Sequence, residues 1–302
     1  MERTITRVIR MALAAVVLSG VSLAAQQQDF SKVEIKATKI GPSFYTLEGQ
    51  GGTIGALVGP DGVFLVDSQF APLTDKIVAA VKQISPTPIK FVVNTHVHGD
   101  HTGGNENLGK LGAIILARPE LRARLVKPAP AANGTTPPSA PAAALPVVTY
   151  TSKTTVYMNG EEIQLIPIPA AHTDGDTLVY FPGQDVLMMG DYFRSAGYPN
   201  IDRANGGSLK GMIDGLQAAA DLAKPTTKVV PGHGTVTDKA GLAAHRAMII
   251  AIRDKVAPLV QQGKTLEEVV ASKPTADFDT KVPMPGTTGE RFVGQLYAEL
   301  KK

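Results

Sequence analysis

The chain has 302 residues, 43% of them hydrophobic, and carries 30 Lys+Arg against 27 Asp+Glu. That length and apolar share support a substantial core and a single large α/β domain. The absence of cysteine excludes a disulfide framework, a lipoprotein anchor and thiolate metal ligands.

Arg3, Arg7 and Arg10 precede an apolar stretch over 11–25 that is too short to span a bilayer comfortably. Small residues at Ser22, Ala24 and Ala25 suit cleavage after Ala24 or Ala25, so residues 1–25 read as a secretory signal peptide. The competing reading is an uncleaved N-terminal anchor. These 25 residues hold three Arg and one Glu; without them Lys+Arg is 27 and Asp+Glu is 26, leaving a net charge near +1. No basic cluster is interleaved with aromatics, which argues against a nucleic-acid substrate. An exported chain of this kind suits the periplasm of a Gram-negative cell or secretion, with no stable membrane anchor after cleavage and a small molecule as partner. The sequence carries no signal for oligomeric state.

From residue 26 onward one domain is expected. Short strands are expected over 43–47, 53–58 and 62–67, with a turn at Gly59-Pro60-Asp61-Gly62 between the last two. A helix over 71–84 leads into a buried strand over 89–94. Helices over 103–110 and 119–126 flank a strand over 113–117. Residues 127–146 are rich in Pro and Ala and read as a flexible insert, partly polyproline II. It is either a tolerated surface loop or a flap over a site. Strands over 154–158 and 161–168 form a hairpin across Asn159-Gly160, a favoured two-residue turn. A second hairpin joins 177–181 to 186–189. Ser208 caps a helix to about residue 223. After a strand over 228–230, helices follow over 239–262 and beyond, with a last one over 288–301.

The chemistry is concentrated at strand ends. His96-Val97-His98-Gly99-Asp100-His101 follows the strand over 89–94 directly. In extended backbone His96 and His98 point to one side, and Asp100 and His101 can turn toward a second point. His172, Asp191 and His233 also follow apolar runs, so all seven side chains can converge on one edge of the sheets, where open α/β sheets bind ligands. Five of the six histidines fall in these motifs. The sixth, His245, flanks the apolar face of a helix and reads as structural.

His-x-His-x-Asp-His, followed in order by His172, Asp191 and Pro231-Gly232-His233-Gly234, resembles the metallo-β-lactamase superfamily. The resemblance covers essentially all of the chain after the leader, most closely 40–236. It implies a four-layer αβ/βα sandwich. It implies two Zn2+ ions, with Fe or Mn as substitutes: His96, His98 and His172 on the first, Asp100, His101 and His233 on the second, and Asp191 bridging. Asp100 would also orient the attacking hydroxide. Asp67 would stand behind the cluster and accept a hydrogen bond from a ligand or from the loop backbone. Gly49-Gln50-Gly51-Gly52-Thr53 looks like the mobile loop that borders the site in the family.

The implied activity is opening of a cyclic amide or ester by metal-activated hydroxide. Asp191 stands where true β-lactamases carry Cys or Ser, and in this looks more like glyoxalase II and lactonases. Arg194 reads equally as a fork for a substrate carboxylate or as a surface residue. Tyr192, Phe193 and Tyr198 line the pocket or pack. Asn200 or Asn205 offers an amide to the developing oxyanion. Alternatives are a thioester hydrolase like glyoxalase II, an iron-dependent dioxygenase of the same superfamily and, last, a non-catalytic binding protein that has kept the fold.

Overall fold

The computed structural model describes residues 29–130, 134–283 and 285–301. The expected leader over 1–25 and residues 131–133 of the insert lie outside the described residues. In chain order the strands and helices are β1 (Lys36–Lys39), β2 (Phe44–Glu48), β3 (Ile54–Leu57), β4 (Val63–Val66), α1 (Thr74–Ile84), β5 (Ile89–Val93), α2 (Gly99–Thr102), α3 (Asn105–Lys110), β6 (Ile114–Ala117), α4 (Pro119–Val126), β7 (Val148–Thr149), β8 (Thr154–Met158), β9 (Glu161–Pro167), β10 (Thr177–Phe181), β11 (Val186–Met188), α5 (Leu209–Leu222), β12 (Lys228–Val230), α6 (Lys239–Gln261), α7 (Leu266–Ala271) and α8 (Gly289–Leu300).

Strands β1 to β7 form one sheet in sequence order, and β12-β11-β10-β9-β8 form the other. Their facing sides share one apolar core: Phe64, Val66 and Val93 of the first meet Leu165, Phe181 and Met188 of the second. The outer face of the first sheet is closed by Leu73, Ile77, Val81 and Leu108, around α1 and α3. The outer face of the second is closed by α5, α6, α7 and α8, through residues such as Met212, Ile252, Val269 and Phe292. Helices, sheet, sheet and helices make the four-layer αβ/βα sandwich. β4 and β11 are apolar at every position because each is covered on both sides.

Topology brings the ligand-bearing loops to one edge. β4, β5, β6 and β7 run parallel, as do β11 and β12. β9 and β11 are both antiparallel to β10 and so share a direction. Asp67, the 96–101 cluster, His172, Asp191 and His233 therefore all leave the carboxyl ends of strands, where side chains can converge. The backbone bonds Thr177 N to Thr95 O (2.8 Å) and Thr53 N to Gly232 O (2.8 Å) tie the two sheets together at this edge.

Local chemistry accounts for most element boundaries. Asn159 and Gly160 take φ +56° and +72°, the left-handed pair a two-residue hairpin needs. Ser208, Asp238 and Thr288 cap α5, α6 and α8 with side-chain oxygens. The helix expected over 103–110 begins instead at Asn105, after the separate turn α2. At Gly104 any Cβ would stand 2.4 Å from the Ser68 carbonyl oxygen. Edge strands β1 and β7 are additions to the expected set. No helix among the described residues is long and apolar enough to cross a membrane.

Candidate metal centre

His96, His98, His101 and His172 are each oriented by a partner on the nitrogen that faces away from the cluster. Thr95 Oγ1 donates to Asp67 Oδ2 (2.7 Å), which leaves its lone pair for His96 Nδ1–H at 3.1 Å. His96 Nε2 is buried and has no hydrogen-bond partner. His98 Nε2–H donates to Asp202 Oδ2 (2.7 Å), turning Nδ1 inward to within 2.9 Å of His172 Nε2. His172 Nδ1–H donates to the Asn200 carbonyl (2.7 Å). His101 Nδ1–H donates to Asp67 Oδ2 (2.7 Å), and its Nε2 lies 3.4 Å from His233 Nε2. Fixing one nitrogen as a donor leaves the other with its lone pair on the cluster, as a metal ligand requires.

The inward atoms fall into three overlapping groups: His96, His98 and His172; His96, His101 and Asp191; and Asp100, His101 and His233. Asp191 stands between the outer two groups. Its Oδ1 lies 3.2 Å from His101 Nε2 and 3.3 Å from His233 Nε2, and its Oδ2 lies 3.8 Å from His172 Nε2. Asp100 Oδ2 lies 3.0 Å from His233 Nε2. Two features fit divalent metal. Imidazoles and carboxylates without thiolate suit zinc and its neighbours. A buried imidazole nitrogen without a partner is costly unless a ligand takes it.

Electrostatics separate the two ends of the cluster. Burial and the neighbouring imidazole of His101 hold His96 well below its ordinary value, and burial pushes His172 down to about 4. Burial alone would lower His101 as well, but the carboxylates of Asp67 and Asp191 reverse this and hold it well above the usual range. His233 is likewise raised against its burial by Asp191 and Asp100. Asp100 is held at about 2, the imidazoles of His233 and His101 overcoming its burial, so it stays ionised. Asp191 lies well below the ordinary carboxylate range, because His101 and His233 outweigh its desolvation.

The loop over 49–53 lies against the cluster. Gly52 N donates to the Asp100 carbonyl (3.1 Å), and Gln69 Nε2 donates to the Gly52 carbonyl (2.8 Å). A Cβ at Gly52 would stand 2.2 Å from the His101 ring, and one at Gly232 would stand 2.0 Å from Asp191 Oδ1. Both positions need glycine for this close approach.

Three expected substrate contacts are corrected. Tyr192 is 1% exposed, in a core beside α5, with its hydroxyl against Met189 Sδ (3.4 Å), so it does not line a pocket. The 3-10 turn Gly190–Tyr192 aims Asp191 at the cluster and the next side chain into the core. Asn205 donates its amide to Asp202 Oδ2 (2.7 Å) and therefore supports His98 through that carboxylate. The Asn200 side chain accepts from Gln295 Nε2 (2.7 Å). Arg194 is 15% exposed and donates from Nη1 to Asp191 Oδ2 (2.8 Å), so its guanidinium grips the expected bridging carboxylate rather than standing free as a fork. Phe193 and Tyr198 pack in the core. His245 lies outside the cluster, edge-on to Phe193 at 5.0 Å, and burial pushes it down to about 4.

Sequence reasoning missed Thr95, Asp176 and Asp202. Asp176 receives the backbone N–H of His172 (2.6 Å) and of Thr173, together with the Thr173 hydroxyl. Asp202 had one available signal, the Asp202-Arg203-Ala204-Asn205-Gly206-Gly207 run, which suits an Asx turn. Nothing in that run points to a histidine 104 positions away.

The four-layer sandwich and its edge cluster of imidazoles and carboxylates define a metal-dependent hydrolase class. The family model described as the metallo-beta-lactamase superfamily matches residues 48–233. The chain belongs to that superfamily. Among solved structures it is similar to the inverting sec-alkylsulfatase Pisa1 of a Pseudomonas species, at 18% identity and a TM-score of 0.66. That match covers 88% of this chain and 50% of the other, so the chain spans half the length of the sulfatase. It is also similar to a metallo-β-lactamase of Pontibacter korlensis (21% identity, TM-score 0.58, 72% of this chain and 99% of that one). The metallo-β-lactamase DIM-1 is comparable (18%, 0.59, 72% and 99%). At these identities the likeness speaks for the fold alone. No curated protein matches the chain.

Proposed function

We infer that the chain is an exported dinuclear zinc hydrolase that opens a cyclic amide or ester, a β-lactam or a lactone. The observation that carries this reading is the overlap of the three ligand groups around His96, His101 and Asp191. In it His96, His98 and His172 would hold the first ion and Asp100, His101 and His233 the second, with Asp191 available to either. Bound there, zinc supplies Lewis acidity and a water acidic enough to serve as a nucleophile near neutral pH.

The chain's own residues do the positioning. Asp67, Thr95, Asp202 and the Asn200 carbonyl fix the imidazole orientations. Asp100 remains an anion that accepts hydrogen bonds and does not deliver a proton. The loop over 49–53 and the turn around Gly232 bring backbone close to the cluster.

The test is metal analysis joined to a hydrolysis panel. Protein from the periplasmic fraction is expected to begin near residue 25 or 26 and to hold two zinc ions. It should turn over a chromogenic lactam or a lactone, and His98→Ala should lose turnover while keeping the fold. A single iron with dioxygen consumption would replace this reading with a dioxygenase. Turnover confined to a thioester, or to a secondary alkyl sulfate (the substrate type in the Pseudomonas neighbour's name), would replace the substrate class. An intact protein that binds metal and turns over none of these would stand as a binding protein.

A further inference from the structure

We propose that an apolar cavity built against His98 by the Pro/Ala-rich insert receives an uncharged alkyl or aryl substituent of the substrate. This rests on the hydrolase reading and names the class of substrate it serves. The cavity measures about 310 Å³, inside the range of ~300–1,000 Å³ typical of small-molecule sites. One wall is His98, Gly99 and Thr102. Leu125 of α4 and Pro128 and Pro137 of the insert also line it. A group held here lies directly beside a metal-ligand imidazole.

The polar groups at its margin are already committed. Among the described residues Arg124 is the only Lys or Arg lining it. Arg124 Nε and Nη2 donate to the Asp174 carboxylate (2.7 and 2.5 Å), and Nη1 donates to the Ala204 carbonyl and Asn205 Oδ1 (3.1 and 3.2 Å). Asn205 Nδ2 is held by Asp202, and Thr102 Oγ1 donates to the carbonyls of Val97 and His98. An anionic substituent would therefore lose its hydration without gaining a donor, whereas an apolar one gains by expelling water.

The wall is preformed. Ala140 N and Ser139 Oγ bind the carbonyls of Leu125 and Val126 (2.9 and 2.6 Å), folding the insert back onto α4. The Arg124–Asp174 pair ties α4 to the loop that carries His172. Prolines hold φ fixed, so little ordering cost falls on binding.

The experiment uses the zinc-loaded protein, with Leu125→Asp placing a charge in the wall and Ala140→Phe filling the space. N-phenyl-1-naphthylamine, a neutral dye that brightens in apolar surroundings, reports binding without turnover. The wild type should bind one dye, displaced by γ-decalactone and not by γ-butyrolactone, and both variants should lose it. The ratio of kcat/KM for γ-decalactone over γ-butyrolactone should fall by about tenfold or more in the variants, the discrimination that a few methylene contacts supply. Unchanged dye binding in both folded variants, or an unchanged ratio, overturns the proposal. Dye binding lost as expected, with no lactone hydrolysed by any form, upholds the cavity and rejects the cyclic-ester reading instead.

Discussion

Asp202 Oδ2 receives the Nε2–H of His98 at 2.7 Å, and that single bond decides which nitrogen of His98 faces His172. The carboxylate is itself held by Asn205, through both its amide and its backbone N–H. Burial would raise Asp202, but the hydrogen bonds from His98 and Asn205 hold it well below the ordinary carboxylate range. It is thus an anion throughout the physiological range and makes the imidazole a better donor to metal. Asp202→Ala should weaken zinc binding by about 10- to 100-fold with little change in the fold. Competition against a chromogenic chelator measures this, and unchanged affinity would remove Asp202 from the centre.

Asp67 joins the histidine cluster to the frame of the first sheet. Its two oxygens accept from Thr95 N, Thr95 Oγ1 and His101 Nδ1, each at 2.7 Å, and it is 1% exposed. Its backbone sits at φ +68°, where Asp and Asn are tolerated and Ala is strained. Asp67→Ala leaves a buried imidazole without its anion and should destabilise the metal-free protein by about 3 kcal/mol or more. Asp67→Asn keeps the backbone preference and should cost less. Denaturant unfolding of the two variants separates charge from strain, and equal losses would assign the effect to the lost charge alone.

Protons and metal compete unevenly for the cluster. His101 is held well above the imidazole range, so without a cation it keeps a second proton at neutral pH, and His233 is raised in the same direction. His172, at about 4, and His96, held low, are already neutral. Metal binding must expel the proton on His101 and whatever proton His233 carries. Affinity therefore weakens as pH falls, most strongly at the Asp100-His101-His233 group. In the metal-free protein the two raised histidines act in the opposite sense. Their stabilisation is complete below the unfolded imidazole value of ~6.5 and is lost as pH rises through the folded values. Calorimetric zinc titration at pH 7 in buffers of different ionisation enthalpy should reveal proton release. Binding heats that do not depend on the buffer would contradict the assignment.

The sandwich and its seven clustered side chains were readable because both leave strong local marks. Strands covered on both faces are continuous apolar runs, as in Val63–Val66, and ligand types cluster where those runs end. The residues that orient the ligands leave no such mark. Thr95, Asp176 and Asp202 act through hydrogen bonds formed only once the chain has folded, and an isolated Asp or Thr in a loop fits many turns. Tyr192 misled for a related reason. Its neighbour Asp191 does face the cluster, but the tight 3-10 turn sends adjacent side chains to opposite sides. β1 and β7 were missed because strands of four and two residues at sheet edges carry too short a pattern.

Arg194 provides a test that separates two roles with different signatures. An arginine that meets a substrate carboxylate affects binding of anionic substrates and leaves metal content alone. An arginine that grips Asp191 affects the carboxylate shared by the two ligand groups. The 2.8 Å bond from Nη1 to Asp191 Oδ2, on a side chain only 15% exposed, favours the second. Removing it frees an oxygen of a buried anion, which then leans more strongly on His101 and His233 or on a cation. Arg194→Met, which keeps much of the packing volume, should change zinc stoichiometry or stepwise affinity by about tenfold, the worth of one charge-assisted bond of ~1.5 kcal/mol. The kcat of neutral and anionic substrates should fall together. A variant with normal zinc loading whose KM rises only for anionic substrates would return Arg194 to the role of a substrate fork.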